Sequence, residues 1–177
     1  MLKLGENAVV LIGLGSNQGQ SVDIMLAAIE ALEQYAVADS FVASNLWQTS
    51  PVDCPPGSAP FLNAAVCFDA RRGLTPELLL DELKALEKAF GRGQKIVRNA
   101  PRELDLDLLV FDEEQRQTEN FVLPHPRAVD RLFVLAPAAE IAPALIWPGL
   151  QRSIAELLHS LETEEEVALW TDTARGA

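Results

Sequence analysis

Two aspartates separated by a single residue, Asp105 and Asp107, are the side chains of this sequence best suited to binding a divalent cation. They lie in ELDLDLLVF, residues 103–111, where leucines alternate with polar residues as in a half-buried strand. Because residues i and i+2 of a strand point to the same face, the two carboxylates should lie side by side. Mg²⁺ bound by both carboxylates and by substrate phosphates would relieve their repulsion. The alternative is an exposed edge of an amphipathic strand.

A cluster of positive charge directly precedes this strand. Residues 88–102 contain no acid, although the whole chain has a net charge of −12 and only 14 Lys and Arg. Guanidinium groups bind phosphate oxygens through two parallel hydrogen bonds, so the cluster favours a phosphate site. The alternative is a solvated helix end, where cations are also favourable. The cations are Lys88, Arg92, Lys95, Arg98 and Arg102.

Other segments could contact a ligand less specifically. The glycine-rich GLGSNQG after the first strand lacks both the GxGxxG and the Walker spacing, so a tight strand-to-helix turn is favoured there. Phe61 and Asn63 share a strand face and could stack on and hydrogen-bond a flat heterocycle, or could simply belong to the core. His125, between two prolines, suits phosphate contact better than catalysis. Glu87 is either a surface residue or a partner that orders the basic segment.

Length and composition indicate one acidic domain with a single core. The chain has 177 residues, of which 49% are apolar. A net charge of −12 argues against binding to nucleic acid or an anionic membrane, and the apolar runs are too short to span a bilayer. The N-terminal apolar run leads into Gly-Ser-Asn, so we interpret it as a strand and not as a signal peptide. With two Cys and two His, neither a zinc cage nor a disulfide framework is expected, which favours unreactive cysteines and a cytoplasmic location.

Hydrophobic periodicity predicts the order β-α-β-β-α-β, the ferredoxin-like α+β arrangement, with additional C-terminal helices. We expect one domain over residues 1–163 and an acidic, flexible tail over 164–177. Thr75 and Pro76 should begin the second helix, and Gly91 should end it. The predicted strands are 7–14, 39–48, 61–68 and 103–111, and the predicted helices are 21–35, 76–90, 127–141 and 152–162.

Several short motifs occur in order over residues 8–148. They are Leu14-Gly15-Ser16-Asn17, Thr49-x-Pro51, Phe61-Leu62-Asn63, Glu87-x-x-x-Gly91-Arg92, Pro101-Arg102-x-Leu104-Asp105-Leu106-Asp107, and Pro124-His125-Pro126-Arg127 followed by Arg131 and Phe133. In this order and spacing the chain resembles the 6-hydroxymethyl-7,8-dihydropterin pyrophosphokinase family. The segments PR-x-LDLD and PHPR are the most specific part of the resemblance.

The resemblance implies a ferredoxin-like fold and transfer of pyrophosphate from ATP to the pterin hydroxymethyl group, with release of AMP, in folate biosynthesis. It implies two Mg²⁺ ions held by Asp105 and Asp107. Phe61 and Phe133 would enclose the pterin ring, whose polar edge would meet Gly15, Thr49, Val52 and Asn63. ATP would contact Glu87, Arg92, Lys95, Arg98, Arg102, His125 and Arg131, of which Arg92 and Arg102 would also act in catalysis.

The sequence departs from the family's pattern at Asp53, Gln94, Asn99 and Ala100. These changes should loosen closure over the substrate and weaken phosphate binding, but the metal pair and the aromatic pair are intact, so we expect activity to survive. Two alternatives stay open: a non-catalytic ferredoxin-like ligand-binding or regulatory module, and a pyrophosphokinase for another heterocyclic alcohol. The expected partners are ATP and a dihydropterin alcohol. A monomer is expected, with a weak homodimer as the alternative.

Overall fold

The computed structural model describes residues 7–16, 21–49, 61–91 and 104–171. Four α-helices occur in these segments: α1 (Ser21–Leu32), α2 (Pro76–Phe90), α3 (Leu132–Ile141) and α4 (Ile154–Ser160). The strands there are β1 (Val9–Ser16), β2 (Val42–Ala43), β3 (Trp47–Thr49), β4 (Phe61–Asp69), β5 (Asp105–Phe111), β6 (Arg116–Gln117), β7 (Val122–Leu123), β8 (Ile146–Trp147), β9 (Arg152–Ser153) and β10 (Val167–Leu169).

One antiparallel sheet organises the molecule. Its strands follow the order β10-β3-β4-β1-β5, and β2 pairs with β4 beside β3. The hairpins β6-β7 and β8-β9 lie outside this sheet. The protein is therefore a mixed α/β structure in which the strands of the sheet position residues from distant parts of the chain side by side.

The ends of α2 follow the local signals in the sequence. The Thr75 hydroxyl accepts a hydrogen bond from the Leu78 N–H at 3.2 Å, and Pro76 occupies the first turn. At the other end, the Gly91 N–H donates to the Glu87 carbonyl at 2.9 Å. The predicted start and end of this helix are confirmed. Within the described segments, no helix has the length and apolar character required to cross a membrane.

Each face of the sheet has its own hydrophobic core. Val10, Ile12 and Leu14 of β1 point to the face that packs against α1 and α2. Leu11 points the other way and packs with Ala65, Leu109 and the buried residues of α3 and α4. This alternation is the expected period of two for a strand covered on both sides.

The predicted strand over residues 39–48 is wrong as a single element, because it is divided into β2 and β3. Between β2 and β3, the Ala65 N–H of β4 donates a hydrogen bond to the Ser44 hydroxyl at 2.9 Å. A side-chain oxygen thus takes the place of the backbone carbonyl that would accept this bond in a regular ladder. The pairing register shifts by one residue here: Ala43 lies opposite Val66, whereas Trp47 lies opposite Asn63. The extra residue turns Trp47 and the residues after it to the opposite face from that of an uninterrupted strand.

The tail expected to be acidic and flexible over residues 164–177 contains a strand at residues 167–169. These residues form β10, which pairs with β3 so that Val167 lies opposite Thr49. The Trp170 N–H also donates to the Leu46 carbonyl at 2.9 Å. The sequence does not predict this strand, because the segment is acidic and its pairing partner, the edge of β3, is distant along the chain. Residues 172–177 lie outside the described residues.

Candidate active site

Four residues form a row across the sheet on the face that carries α3 and α4. Asp105 of β5 pairs with Gly15 of β1, Gly15 pairs with Asn63 of β4, and Asn63 pairs with Trp47 of β3. Paired residues of an antiparallel sheet point to the same side. We call this surface the site face. It brings together an acid, an amide and an aromatic ring from four strands.

The centre of the row is a glycine, which leaves space between the amide and the carboxylate. A Cβ atom at Gly15 would lie 3.3 Å from the Asn63 Oδ1 atom. Asp105 and Asn63 are separated by two strand spacings, roughly 9–10 Å between Cα atoms. A flat ligand placed over Gly15 would meet the amide at one end and the acid at the other.

The amide of Asn63 is held in a defined orientation. Its Nδ2 atom donates to the Thr49 Oγ1 atom at 2.8 Å, and its side chain is buried with 7% exposure. The Oδ1 atom consequently faces Gly15 and can accept a hydrogen bond from a ring N–H or amino group. Thr49, Asn63 and Gly15, three residues expected along the polar edge of a ligand, lie together on the site face.

The two aspartates occupy adjacent rows of the site face, Asp105 opposite Gly15 and Asp107 opposite Gly13. Asp105 is half-buried and Asp107 is exposed, while Leu106 between them is buried in the core of the other face. Two neighbouring carboxylates offer oxygen ligands that suit a hard divalent cation, which takes its other ligands from phosphates and water. Within the described segments, no group of three or more His, Cys, Asp or Glu side chains forms a metal site.

A β-bulge anchors His125 beside the aspartates. Leu109 is the extra residue of β5, since Leu11 pairs with Val110 whereas Ile12 pairs with Leu108. The Leu109 carbonyl accepts the His125 N–H at 3.0 Å, only two residues from Asp107.

The imidazole of His125 is held neutral. Burial lowers its pKa below the usual 6.5; the Asp107 carboxylate opposes this shift, and Arg131 and Arg127 reinforce it. The Nδ1 atom accepts the Arg127 N–H at 3.3 Å, so the ring proton resides on Nε2. The neutral ring therefore offers one N–H donor near Asp107 and Arg131.

The first turn of α3 contains Phe133, one of the two phenylalanines expected to enclose a ring. The guanidinium carbon of Arg131 lies 5.5 Å from the centroid of the Phe133 ring, a cation–π contact that fixes both side chains relative to each other. Both are half-buried. Phe61 lies across the sheet at the start of β4, opposite Thr49, and is 37% exposed.

Some expected site residues are peripheral or lie outside the described residues. Glu87 is half-buried in the last turn of α2. Val52, Arg92, Lys95, Arg98 and Arg102 lie outside the described residues, as do the departures Asp53, Gln94, Asn99 and Ala100. Their roles stay predictions.

Sequence reasoning missed Trp47 and Glu140. The Trp47 Nε1–H donates to Glu140 Oε1 at 3.0 Å, and the backbone and side-chain amides of Asn45 donate to Glu140 Oε2 at 2.9 and 3.2 Å. Glu140 thereby attaches α3 to the sheet next to Asn63. The signal for Trp47 was available, because it lies two residues before Thr49 on a strand.

Of the two cysteines, Cys67 lies within the described residues and Cys54 does not. Burial, reinforced by the charge of Asp69, raises the pKa of the Cys67 thiol to about 11. This thiol is therefore protonated at neutral pH, which makes it a poor nucleophile.

Comparison with known proteins identifies the family of the chain. Residues 11–143 match the family 7,8-dihydro-6-hydroxymethylpterin-pyrophosphokinase (HPPK), and the chain belongs to this family. The match contains the described residues of the site face, His125 and the first turn of α3.

Curated relatives share a large part of the sequence. The chain is 36% identical over 165 residues to the 2-amino-4-hydroxy-6-hydroxymethyldihydropteridine pyrophosphokinase of Bacillus subtilis, covering 93% of this chain and 91% of the relative. It is 32% identical over 158 residues to the enzyme of the same name from Haemophilus influenzae, covering 89% and 96%. It is also 36% identical over 135 residues to a folate synthesis bifunctional protein of Arabidopsis thaliana, covering 75% and 26%.

A solved structure supports the fold. The chain is similar to the wild-type HPPK-DHPS of Plasmodium falciparum, with a TM-score of 0.63 and 12% identity, over 89% of this chain. It spans 42% of that longer chain. At this identity the likeness bears on the fold alone.

Proposed function

We propose that this protein transfers the pyrophosphoryl group of ATP to the hydroxymethyl oxygen of 6-hydroxymethyl-7,8-dihydropterin and releases AMP, a step of folate synthesis. Membership of the pyrophosphokinase family defines the class of reaction. The observation that supports it best is the row Asp105, Gly15 and Asn63, in which one amide and one acid lie on either side of a glycine. A pterin whose ring meets Asn63 would direct its hydroxymethyl group toward the acids.

The donors at Asp105 and Asp107 fit magnesium in kind and in number. Magnesium is commonly held by one or two carboxylates together with substrate phosphates, and it keeps several waters. We propose that these carboxylates bind two Mg²⁺ ions together with ATP. Bound there, magnesium would supply charge neutralisation for the phosphates and would lower the pKa of the attacking hydroxyl.

His125 and Arg131 would bind the phosphates from the opposite side. The neutral His125 donates through Nε2, while Arg131 adds a permanent positive charge close by. Glu87 would help to position ATP. The remaining phosphate contacts are proposed for Arg92, Lys95, Arg98 and Arg102, with Arg92 and Arg102 stabilising charge in the transition state.

The pterin would be recognised by hydrogen bonds at its edge and by stacking on its faces. Asn63 Oδ1 would accept from a ring N–H or amino group, while Thr49 keeps that amide oriented. Gly15 and Val52 would contact the polar edge through their backbone. Phe61 and Phe133 would stack on the two faces of the ring.

In the reaction, the hydroxymethyl oxygen attacks the β-phosphorus and forms a P–O bond. The bond between the β-phosphorus and the oxygen bridging to the α-phosphate breaks, and AMP leaves with that oxygen. The hydroxyl proton passes to water or to an aspartate carboxylate. Positioning and charge stabilisation account for most of the rate enhancement, because phosphoryl transfer needs little covalent chemistry from the protein.

We also propose a ferredoxin-like fold, which the strand order supports. The second, third, first and fourth of the predicted strands lie side by side in this order, and each pair is antiparallel. We further propose a single domain, expected over residues 1–163 and extended by β10, which pairs with β3 of the same sheet; the domain would act as a monomer in the cytoplasm. The strongly acidic net charge of −12 supports the absence of nucleic-acid and membrane partners.

A product assay tests the proposal. The protein is incubated with ATP, magnesium and 6-hydroxymethyl-7,8-dihydropterin, and AMP and pterin diphosphate are measured together. We expect both products in equal amounts and no AMP when the pterin is omitted. ADP in place of AMP would contradict pyrophosphoryl transfer. Binding of both substrates without turnover would instead indicate a non-catalytic module, and turnover only with another alcohol would reassign the substrate.

A further inference from the structure

The C-terminal segment contacts the strand that carries Thr49. Val167 of β10 pairs with Thr49, and Leu169 pairs with Trp47. Trp170 continues this contact, because its N–H donates to the Leu46 carbonyl at 2.9 Å and its ring packs against the core under α1 and α2. Residues 167–170 therefore secure the outer edge of the site face.

The same segment contacts the first turn of α3. The Glu165 Oε2 atom accepts the Leu132 N–H at 3.1 Å. The local backbone is itself restrained, since the Glu165 N–H donates to the Thr163 hydroxyl at 3.1 Å. Within the described part of the chain, Arg131 at the N-cap position makes no side-chain capping bond, so a residue more than thirty positions away performs this role.

Leu132 lies between the two residues that α3 presents to the site. Arg131 precedes it, Phe133 follows it, and their side chains stack on each other. A helix N-terminus leaves unpaired N–H groups, and its first turn frays when none of them is capped. A bond to the Leu132 N–H thus restrains the position and orientation of the Phe133 ring.

We propose that Glu165 is a positioning residue for the pterin site: it holds the Arg131–Phe133 turn at a fixed position relative to Thr49. The inference rests on the proposed function, because it needs Phe133 to be one of the two stacking rings. Glu165 is two residues from Val167, so a single short segment spans both sides of the pterin site. The rest of α3 does not depend on this bond, since Leu135 and Ala138 are fully buried.

Kinetics of three variants test the proposal. Glu165→Ala removes the acceptor, Glu165→Gln keeps a side-chain oxygen, and Glu164→Ala changes an exposed neighbouring acid. We expect the KM for the pterin to rise about fivefold in Glu165→Ala, because the loss of one helix cap costs about 1 kcal/mol. The kcat should change less than twofold. Glu165→Gln and Glu164→Ala should stay within about twofold of the wild type.

Two further readouts separate positioning from folding. Thermal unfolding of each variant shows whether the protein is intact, and pterin fluorescence titration measures binding without turnover. A lower Tm in Glu165→Ala with an unchanged KM would overturn the proposal, because the cap would then serve stability alone. An equal rise of KM in Glu165→Gln would also overturn it, because the retained oxygen would have made no difference.

Pterin binding and AMP release by the wild-type protein distinguish a failure of this inference from a failure of the proposed function. If the wild type neither binds the pterin nor releases AMP, the proposed function fails and this inference fails with it. If the wild type does both and Glu165→Ala behaves like the wild type, only the role of Glu165 is overturned.

Discussion

The two sides of the proposed pterin site are positioned in different ways. The sheet side, with Asp105, Gly15 and Asn63, is fixed by strand register, because each residue is opposite its neighbour in the ladder. On the helical side, α3 packs through buried residues such as Leu135 and Ala138, and individual side-chain hydrogen bonds add to this packing near Arg131 and Phe133 and at the other end of the helix. The acceptors of those bonds, Glu140 and Glu165, contact residues far away in the sequence.

This difference bears on how each side responds to substitution. A ladder distributes its hydrogen bonds over many backbone groups, so a changed side chain on the sheet side should alter chemistry more than geometry. The helical side adds a few individual hydrogen bonds to its packing. Changes to these bonds should alter the stability of α3, or the position of its first turn and through it substrate affinity, more than the chemical step.

The largest expected effect is at Asp107. Asp107→Ala removes one carboxylate from the exposed surface of β5, so the fold should be retained while charge neutralisation at the phosphates is lost. We expect the rate of AMP release to fall by about a thousandfold or more. Glu113→Ala, an exposed acid just after the same strand, is the matched control. A rate for Asp107→Ala within twofold of this control would refute the assignment.

A smaller effect is expected from closing the space at the centre of the row. In Gly15→Ala the new Cβ would lie 3.3 Å from Asn63 Oδ1, so the amide must shift. The KM for the pterin should rise about tenfold. Gly13→Ala is the comparison, because its Cβ would meet only the Leu109 side chain at 3.4 Å, an ordinary contact. Equal KM values for the two variants would show that the amide does not read the substrate.

On the helical side, Glu140→Ala should act mainly on stability. It leaves the indole N–H of Trp47 and two N–H groups of Asn45 without their acceptor. Because Glu140 is exposed, we expect the free energy of unfolding to fall by only about 1 kcal/mol in urea denaturation. Glu30→Ala on the exposed side of α1 serves as control. Identical urea midpoints for both variants would contradict the anchoring role of Glu140.

The smallest effect concerns Tyr35, on the sheet face opposite the site. Burial, and secondarily its hydrogen bond to Glu82, raises the pKa of Tyr35 from 10.0 to about 12. The protonated phenol is therefore favoured in the folded state, and its stabilising effect is complete below pH 10 and lost as pH rises through about 12. Between pH 10 and 12, the free energy of unfolding should therefore depend less on pH in Tyr35→Phe than in the wild type. If the free energy of unfolding changed with pH equally in both proteins, the assignment would be refuted. The KM for the pterin should be the same in both.

Much of the fold was predictable because its signals are local. Thr75, Pro76 and Gly91 define α2 within the helix itself, and the alternation of leucine and aspartate identifies the site face of β5. The adjacency of Gly15, Asn63 and Thr49 was only implied by the resemblance to the family, because strand pairing is not local.

The features that escaped prediction depend on partners distant in the sequence. Ser44 interrupts its strand through a bond to Ala65, and β10 forms because the edge of β3 accepts it. The bond between Glu165 and Leu132 joins residues that no periodicity connects. Such contacts arise from packing, so hydrophobic patterns and capping signals do not reveal them.

Crystallisation with manganese, a non-hydrolysable ATP analogue and a pterin tests the central claim most directly. Anomalous scattering locates the metal independently of the protein. We expect metal coordinated by carboxylate oxygens of both Asp105 and Asp107 and next to the phosphates, with the pterin ring over Gly15. Nucleotide and pterin bound with the metal elsewhere, or with either aspartate directed away from it, would contradict the account.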